Sequence, residues 1–226
     1  MTVFITREQT PASDLTRLLE AQGWQVQGQS LVTLTALPFD HIPDTDWIFF
    51  SSKNAVRFFF QQIHENHLRI PEVKWAALGK STAEALARHI PNINFIGNGN
   101  PGTTAETFRQ QIGSEENMRV LFPAARHSMK SMARHLPENS QTIHLEVYDN
   151  QPVPNPEPRT EDVLVFTSPM NVRAYFSHHA LLSGQKTVAI GPTTAAALSH
   201  YGVKDVVVAK EPSERSIVSR IFSLRE

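Results

Sequence analysis

Cysteine is absent from the 226-residue sequence. Disulfides, a thiolate nucleophile and cysteine-based zinc or iron–sulfur sites are therefore excluded. Charge of one sign is not in excess either, because 22 acidic and 21 basic residues leave a net charge of −1. Without a global basic field, we expect neither nucleic acid nor a membrane surface as a partner.

Long hydrophobic runs are missing as well, since no apolar stretch approaches the roughly 20 residues that span a bilayer. The first residues, "MTVFITREQ", lack the apolar core of a signal peptide. These two features predict a cytoplasmic protein.

Familiar catalytic and metal-binding motifs are also lacking. The pairs His64/His67 and His178/His179 have no third ligand nearby in sequence, and no G-x-S-x-G elbow or acid–base pair is present. The stretch "GNGNPG" (97–102) matches G-x-G-x-x-G, but it follows a late strand rather than the first one, which favours a turn-rich loop over a dinucleotide site. We therefore expect no metal and no organic cofactor.

The sequence does contain an internal repeat. "ALGKSTAEAL" (77–86) and "AIGPTTAAAL" (189–198) are identical at six of ten positions, and "DWIFFSSKNAVRFFF" (46–60) similarly matches "DVLVFTSPMNVRAYF" (162–176). A third pair, "VFIT" (3–6) and "VLFP" (120–123), keeps the same order. A spacing of about 115 residues indicates two similar domain-sized units rather than a solenoid.

Each unit alternates short apolar strands with amphipathic helices, which predicts parallel sheets covered by helices on both faces. Helix starts are predicted at Thr10 with Pro11 and at Ser168 with Pro169, from the cap preferences of these residues. The remaining starts are predicted at Ser51 or Ser52, at Ser81 and Thr103 through capping boxes with Glu84 and Glu106, at Thr193 or Thr194, and at Ser213. Met129, Met132, Ala133 and Leu136 predict a further helix.

Two segments, 30–38 and 143–154, alternate apolar and polar residues with a period of two. They lie at comparable places in the two units, and a proline-rich stretch, "QPVPNPEPR", overlaps the end of the second. This pattern predicts extended connectors that pair with each other.

Polar residues recur where a predicted strand meets the following helix. In parallel sheets these positions share one edge, where free helix N–H groups attract anions. Gly79 and Gly191 are interpreted as tight-turn residues. Because the pattern occurs in both units, we expect two facing rows of donors around a cleft that binds a polyanion. The predicted contacts are Ser51, Ser52, Lys53, Gly79, Lys80, Ser81, Thr82, Ser168, Pro169, Met170, Gly191, Pro192, Thr193 and Thr194.

Four cations, Arg7, Lys53, Lys80 and Arg126, follow strands near the same edge and are candidates for carboxylate contact. Tyr148 is the polar aromatic residue of the second connector and is a candidate proton donor; a partly buried connector tyrosine is equally compatible with its position.

Taken in order, these motifs resemble the uroporphyrinogen-III synthase family. The resemblance rests on "VFITR", "FFSSKNAVRFF", "ALGKSTAEAL", "EVYDNQP", "VFTSPMNVRAYF" and "AIGPTTAAAL", and it covers most of the chain. The sequence departs from the family where Glu8 replaces the frequent proline, where Ser51 replaces a threonine, and where Asp149 and Asn150 follow the tyrosine.

The resemblance implies two α/β domains joined by a two-stranded β-ladder, with residues 1–34 and 155–226 in one domain and 38–146 in the other. The repeat by itself favours two contiguous halves instead. The implied reaction cyclises hydroxymethylbilane, a linear tetrapyrrole with eight carboxylates, with inversion of ring D and loss of water. No cofactor is implied, and we expect a monomer. The family's tyrosine corresponds to Tyr148, a candidate to assist hydroxyl departure, and its I-G-x-x-T threonine to Thr82 and Thr194; of these, Tyr148 and Thr82 are the predicted catalytic residues.

Two other functions are compatible with the residues alone. The first is a non-enzymatic cleft protein that senses or carries a small polyanion. The second is a nucleotide-dependent oxidoreductase, which depends only on "GNGNPG".

Overall fold

The computed structural model describes residues 1–112, 117–128, 131–136 and 140–225. In chain order its elements are β1 (Thr2–Ile5), α1 (Asp14–Glu20), β2 (Gln25–Gly28), β3 (Val32–Ala36), β4 (Trp47–Phe50), α2 (Lys53–Glu65), β5 (Lys74–Ala77), α3 (Lys80–Leu86), β6 (Phe95–Ile96), α4 (Pro101–Ile112), β7 (Arg119–Ala125), a 3₁₀ turn (Ala133–His135), β8 (Gln141–Pro152), β9 (Val163–Phe166), α5 (Pro169–Phe176), β10 (Lys186–Ala189), α6 (Pro192–His200), β11 (Val207–Val208), α7 (Glu214–Phe222) and a final 3₁₀ turn (Ser223–Arg225).

The chain divides into two compact units. Unit 1 contains both ends of the chain, Met1–Thr33 and Gln151–Glu226, and unit 2 contains Leu34–Asn150. The two contiguous halves that the repeat alone favours are therefore not formed, because β1 hydrogen-bonds between β2 and β9 in unit 1.

Unit 1 has one parallel sheet with the strand order β11-β10-β9-β1-β2. Its strands are covered on both faces, which explains the continuous apolar runs. On β9, Val163 and Val165 pack in one core cluster, and Leu164 and Phe166 pack in another. The sheet thus forms the middle layer between two sets of helices.

Unit 2 has a sheet with the order β3-β8-β7-β4-β5-β6, in which the pairs from β8 to β6 are parallel. Ile48 and Phe50 of β4 pack in one cluster and Trp47 and Phe49 in the other. The predicted class of two similar α/β units with parallel sheets is confirmed.

The two predicted connectors form β3 and β8, which are neighbours in the second sheet. The N–H of Leu37 donates to Val147 and that of Val153 to Leu31, so the two strands run in opposite directions. The ladder is not isolated, however, because β8 also pairs with β7 from Gln141 to Tyr148.

The predicted helix starts are correct in three places where a serine is the last residue before the helix. Ser52, Ser168 and Ser213 are N-caps, and each side chain accepts a backbone N–H, from Ala55, Asn171 and Ser216 respectively. In each of these turns the N-cap serine has extended backbone, which directs its hydroxyl toward the N–H of the third residue of the helix.

Other predicted starts are wrong. The N-caps of α3 and α6 are Gly79 and Gly191, without a side-chain bond, so Ser81, Thr193 and Thr194 lie inside the first turn of their helices. These helices begin at once after the strand, and the glycine carbonyls already accept the first helical N–H groups. Ser13 replaces Thr10 as the cap of α1, three residues later than predicted.

The predicted capping box of Thr103 and Glu106 is also not formed. Asn100 accepts the N–H groups of Gly102 and Thr103 instead, so α4 begins at Pro101. Of the helix predicted around Met132, only the short 3₁₀ turn Ala133–His135 is observed, and Met129 lies outside the described residues.

Candidate active site

The carboxyl ends of β4 and β5 bring most of the predicted residues of unit 2 to one edge. The N–H of Leu78 donates to the carbonyl of Phe50 at 2.8 Å, which ties the turn after β5 to the turn after β4. The helices α2 and α3 then begin side by side. The predicted contacts at this edge are Ser51, Ser52, Lys53, Gly79, Lys80, Ser81 and Thr82.

Close approach, rather than a tight turn, favours glycine at position 79. Its φ of −164° is extended backbone that any residue adopts, but a Cβ there would lie 3.0 Å from Cα of Gly99. Gly191 has a φ of −174°, and a Cβ there would meet nothing within 4 Å. The prediction that both glycines are needed for turning is therefore wrong, and only Gly79 has a steric reason.

The "GNGNPG" loop packs against the Gly79 turn, as the N–H of Gly99 donates to Leu78 at 2.8 Å. Within the loop, Oδ1 of Asn98 accepts the N–H of Asn100 and the hydroxyls of Thr103 and Thr104 at 2.9–3.0 Å. These internal bonds occupy the donors that a dinucleotide phosphate would need. The loop therefore supports the turn before α3, as a turn-rich segment.

Tyr148 reaches the same edge of unit 2 through β8. The pairing Ala125–Tyr148 lies beyond the level at which β4 ends. The ring is 8% exposed and stacks on Phe58, with centroids 5.1 Å apart and planes at 18°. Its hydroxyl forms no hydrogen bond with another described residue.

Unit 1 repeats the arrangement after β1, β9 and β10. The N–H of Ile190 donates to Phe166 at 3.0 Å, which matches the bond between Leu78 and Phe50 in unit 2. Thr167 also donates twice to Thr6, from its N–H to the Thr6 hydroxyl at 2.9 Å and from its own hydroxyl to the Thr6 carbonyl at 2.8 Å, which joins the turns after β1 and β9. The predicted contacts at this edge are Arg7, Ser168, Pro169, Met170, Gly191, Pro192, Thr193 and Thr194.

Thr82 and Thr194 occupy equivalent places in the two units, at the third position of α3 and α6. They are 5% and 1% exposed, whereas Lys80, Ser81, Pro192 and Thr193 are more open to solvent. Neither threonine hydroxyl bonds another side chain or a carbonyl of the described residues. Two nearly buried hydroxyls are thus left available at the helix starts.

The four predicted cations differ in their partners. Arg7 forms an ion pair with Glu214 at 2.6 Å, and Arg126 pairs with Glu146 and Asp149 at 3.2 and 3.3 Å. Lys53 and Lys80 are exposed and have no ion pair within the part of the chain that the structure describes. Of these four cations, only the two lysines are therefore uncompensated charges.

Several residues near the site were not predicted from the sequence. Glu214, Glu146 and Asp149 fix the two arginines, and Thr6 with Thr167 links two turns. Glu146 and Asp149 flank Tyr148 in the second connector, so their neighbourhood in sequence was a usable signal. Glu214 is remote from Arg7 in sequence, and no pattern indicates that pair.

The described residues include no group of three His, Cys, Asp or Glu side chains that could hold a metal ion. Nor does any described helix combine the length and apolar character needed to cross a bilayer.

The fold is similar to solved uroporphyrinogen-III synthase structures. One is the Helicobacter pylori 26695 enzyme, with a TM-score of 0.70 and 21% identity over 99% of both chains. Another is a mutant enzyme from the extremely thermophilic bacterium Thermus thermophilus, with a TM-score of 0.60 and 16% identity over 100% of this chain and 99% of the other. At such identities the similarity shows the fold.

A family model described as uroporphyrinogen-III synthase HemD matches residues 13–219. The match begins just before α1 and ends within α7, so it includes the starts of α2, α3, α5 and α6 together with Tyr148. From this match over nearly the whole sequence, the chain belongs to the uroporphyrinogen-III synthase family.

Proposed function

We propose that the chain cyclises hydroxymethylbilane to uroporphyrinogen III, with inversion of ring D and loss of water. The observation that carries this proposal is family membership over residues 13–219, which makes the chain a lyase of heme biosynthesis. A polyanion carrier without activity and a nucleotide-dependent oxidoreductase have no comparable support.

The substrate's carboxylates suit the edges described above. At each edge, helix N-termini offer N–H groups and the positive end of the helix dipole, which attract anions. Lys53 and Lys80 add charges that no described acid neutralises. We assign carboxylate contact first to these lysines and to the α2, α3, α5 and α6 N-termini, because Arg7 and Arg126 are already paired.

Tyr148 is proposed to donate a proton to the departing ring-A hydroxyl. Loss of water leaves an azafulvene cation, which the substituted carbon of ring D attacks to form a spiro intermediate. Fragmentation and re-closure then invert ring D, and the ring-D carbon that forms the final bond releases its proton, which balances the proton that Tyr148 donates. Stacking on Phe58 fixes the tyrosine ring, and its hydroxyl has no competing protein acceptor among the described residues. Thr82 is proposed to bond the substrate beside this ring.

The test of the activity is the isomer formed. Hydroxymethylbilane is incubated with the protein, the products are oxidised, and the type I and type III porphyrins are separated. We expect type III with the protein and type I without it, since type I forms spontaneously. Type I alone in both reactions would overturn the proposed activity.

For Tyr148→Phe we expect turnover to fall by about 10²-fold, the lower range for loss of a general acid. The ring and its stacking on Phe58 are retained, so the unfolding midpoint should stay near that of the wild type. The measurements are kcat from the isomer assay and thermal unfolding. Unchanged kcat would leave Tyr148 as a structural residue of β8.

We also propose that the protein acts as a monomer in the cytoplasm. The mass in solution, from light scattering after size exclusion, tests the first statement: a value near 25.4 kDa is expected and a multiple of it would contradict the proposal.

A further inference from the structure

We propose that Arg126 is a positioning residue that holds Tyr148 at the edge of unit 2. This inference rests on the role proposed above for Tyr148. The backbone N–H of Arg126 donates to the carbonyl of Tyr148 at 2.9 Å, and its guanidinium pairs with Glu146 and Asp149, the acids on either side of the tyrosine in sequence. One residue thus holds β8 at three points around Tyr148.

These contacts of Arg126 are needed because the pairing of β7 with β8 is irregular next to Tyr148. Ala124 lies opposite Glu146 and Ala125 opposite Tyr148, so Val147 has no partner in β7. A bulge of this kind bends the strand and redirects the side chains that follow it. Arg126 directly follows Ala125, the last residue of β7 that pairs with β8. Beyond this pair, the side chain of Arg126 contacts β8 through Glu146 and Asp149.

The two acids play different parts. The Asp149 side chain is 10% exposed, and its Oδ2 accepts from Nη1 of Arg126 at 3.3 Å. Glu146 is half exposed and accepts from Nε at 3.2 Å. With donors on both sides of its fork engaged, the guanidinium has little rotational freedom.

The contacts of Arg126 argue against the alternative in which it binds a substrate carboxylate. Its Nε and Nη1 already donate to Glu146 and Asp149, so a substrate carboxylate would have to displace these acids. Breaking the ion pairs to free the arginine would also expose Asp149 to the incoming carboxylate. Positioning is therefore the role that the contacts favour.

The test is a double-mutant cycle of Arg126→Ala with Tyr148→Phe. Arg126→Ala should lower kcat roughly tenfold, because misplacing a catalytic group by about 1 Å has effects of this order or larger. KM should change little, since no substrate contact is removed. In the Tyr148→Phe background the same substitution should have no further effect on kcat, and Arg126→Lys, which keeps one ion pair, should recover part of the loss.

Arg119→Ala provides the matched control. Arg119 begins the same strand, β7, and pairs with two acids, Asp44 and Asp46, but at the opposite edge of the sheet. We expect it to lower the unfolding midpoint at least as much as Arg126→Ala while leaving kcat unchanged.

The outcomes separate the two proposals. If Tyr148→Phe lowers kcat but Arg126→Ala does not, only the positioning role is wrong. Losses that multiply in the double variant, or a large rise in KM for Arg126→Ala, would also overturn it. If Tyr148→Phe leaves kcat unchanged, the role of Tyr148 fails and the positioning role with it, whereas the isomer assay still decides the activity.

Discussion

The two units have the same order of five parallel strands but follow the chain differently. The succession β9-α5-β10-α6-β11-α7 in unit 1 corresponds to β4-α2-β5-α3-β6-α4 in unit 2. Unit 2 then continues into β7 and β8. In unit 1 the corresponding places are filled by β1 and β2, from the other end of the chain. The place of a strand in the sheet therefore does not follow its order in the sequence.

The units differ most in what supports the glycine turn. In unit 2 the loop 97–102 packs under Gly79, and a Cβ on Gly97 would lie 2.2 Å from Cγ2 of Thr104 and 2.5 Å from the carbonyl of Leu78. In unit 1 the equivalent residue is Ala209, whose N–H donates to Ala189 as that of Gly97 does to Ala77. The same ladder position therefore excludes a methyl group in one unit and buries one in the other.

Gly97→Ala is expected to have the largest effect on stability. The added methyl overlaps backbone as well as a side chain, so the free energy of unfolding should fall by about 3 kcal/mol, the upper range for overpacking. Urea unfolding measures it.

The reciprocal change, Ala209→Gly, is the matched control. It removes one buried methyl group and adds backbone freedom, for a loss of about 1 kcal/mol. Equal losses for the two variants would show that the units tolerate the position alike, and the comparison would fail.

The substitutions Thr82→Val and Thr194→Val test whether the starts of α3 and α6 contribute equally to the reaction. Neither hydroxyl bonds the described protein, so loss of either should affect stability by less than about 1 kcal/mol. We expect Thr82→Val to lower kcat/KM about tenfold, as removal of one hydrogen bond worth roughly 1.4 kcal/mol does.

Thr194→Val should have a smaller effect on kcat/KM, because the proposed proton donor Tyr148 belongs to unit 2 together with Thr82. Steady-state kinetics with hydroxymethylbilane decide this. A larger loss for Thr194→Val would place the more important contact in unit 1.

The smallest expected effect is on stability at low pH, and it concerns an ion pair at the amino ends of the strands, opposite the candidate site. Asp46 precedes β4 and accepts from the N–H and guanidinium of Arg119, and hydrogen bonding to Arg119 lowers the pKa of this carboxyl from 3.8. A lowered folded-state pKa stabilises the protein above pH 3.8, and the contribution is lost as the pH falls through the lower value. The contribution is below about 1 kcal/mol, because the ion pair is half exposed.

Unfolding of the wild type and of Asp46→Asn is measured at about pH 7 and at about pH 2.5, because the contribution is complete above pH 3.8 and is lost progressively as the pH falls below it. Asp46→Asn should reduce the acid-induced loss of stability. Asp162→Asn is the control, since Asp162 precedes β9 and accepts from the N–H and hydroxyl of Thr2, and no arginine of the described residues pairs with it. Asp162→Asn should retain the part of the acid-induced loss of stability that is due to Asp46. An equal reduction of this loss in both variants would contradict its assignment to the contact of Asp46 with Arg119.

Part of the candidate site's geometry was predictable, because helix starts depend on local signals. Ser52 and Ser168 follow four-residue apolar strands, and this succession predicts both the edge and the cap. The predictions failed for Ser81, Thr193 and Thr194, since a capping preference does not reveal that a glycine carbonyl a few residues earlier already starts the helix. The pairing of Arg7 with Glu214 was out of reach for another reason, as it joins residues from opposite ends of the chain.

The sequence by itself determined the class of fold and the repeated strand–turn–helix units, because apolar periodicity and capping act over a few residues. It also indicated Tyr148 as the polar aromatic residue of the second connector, and its motifs indicated the family. Only the tertiary structure decided that β1 completes the sheet of β9 and that Gly79 lies close to Gly99. It likewise decided which arginines are neutralised by acids. Each of these depends on distances between residues far apart in the chain, which no local pattern encodes.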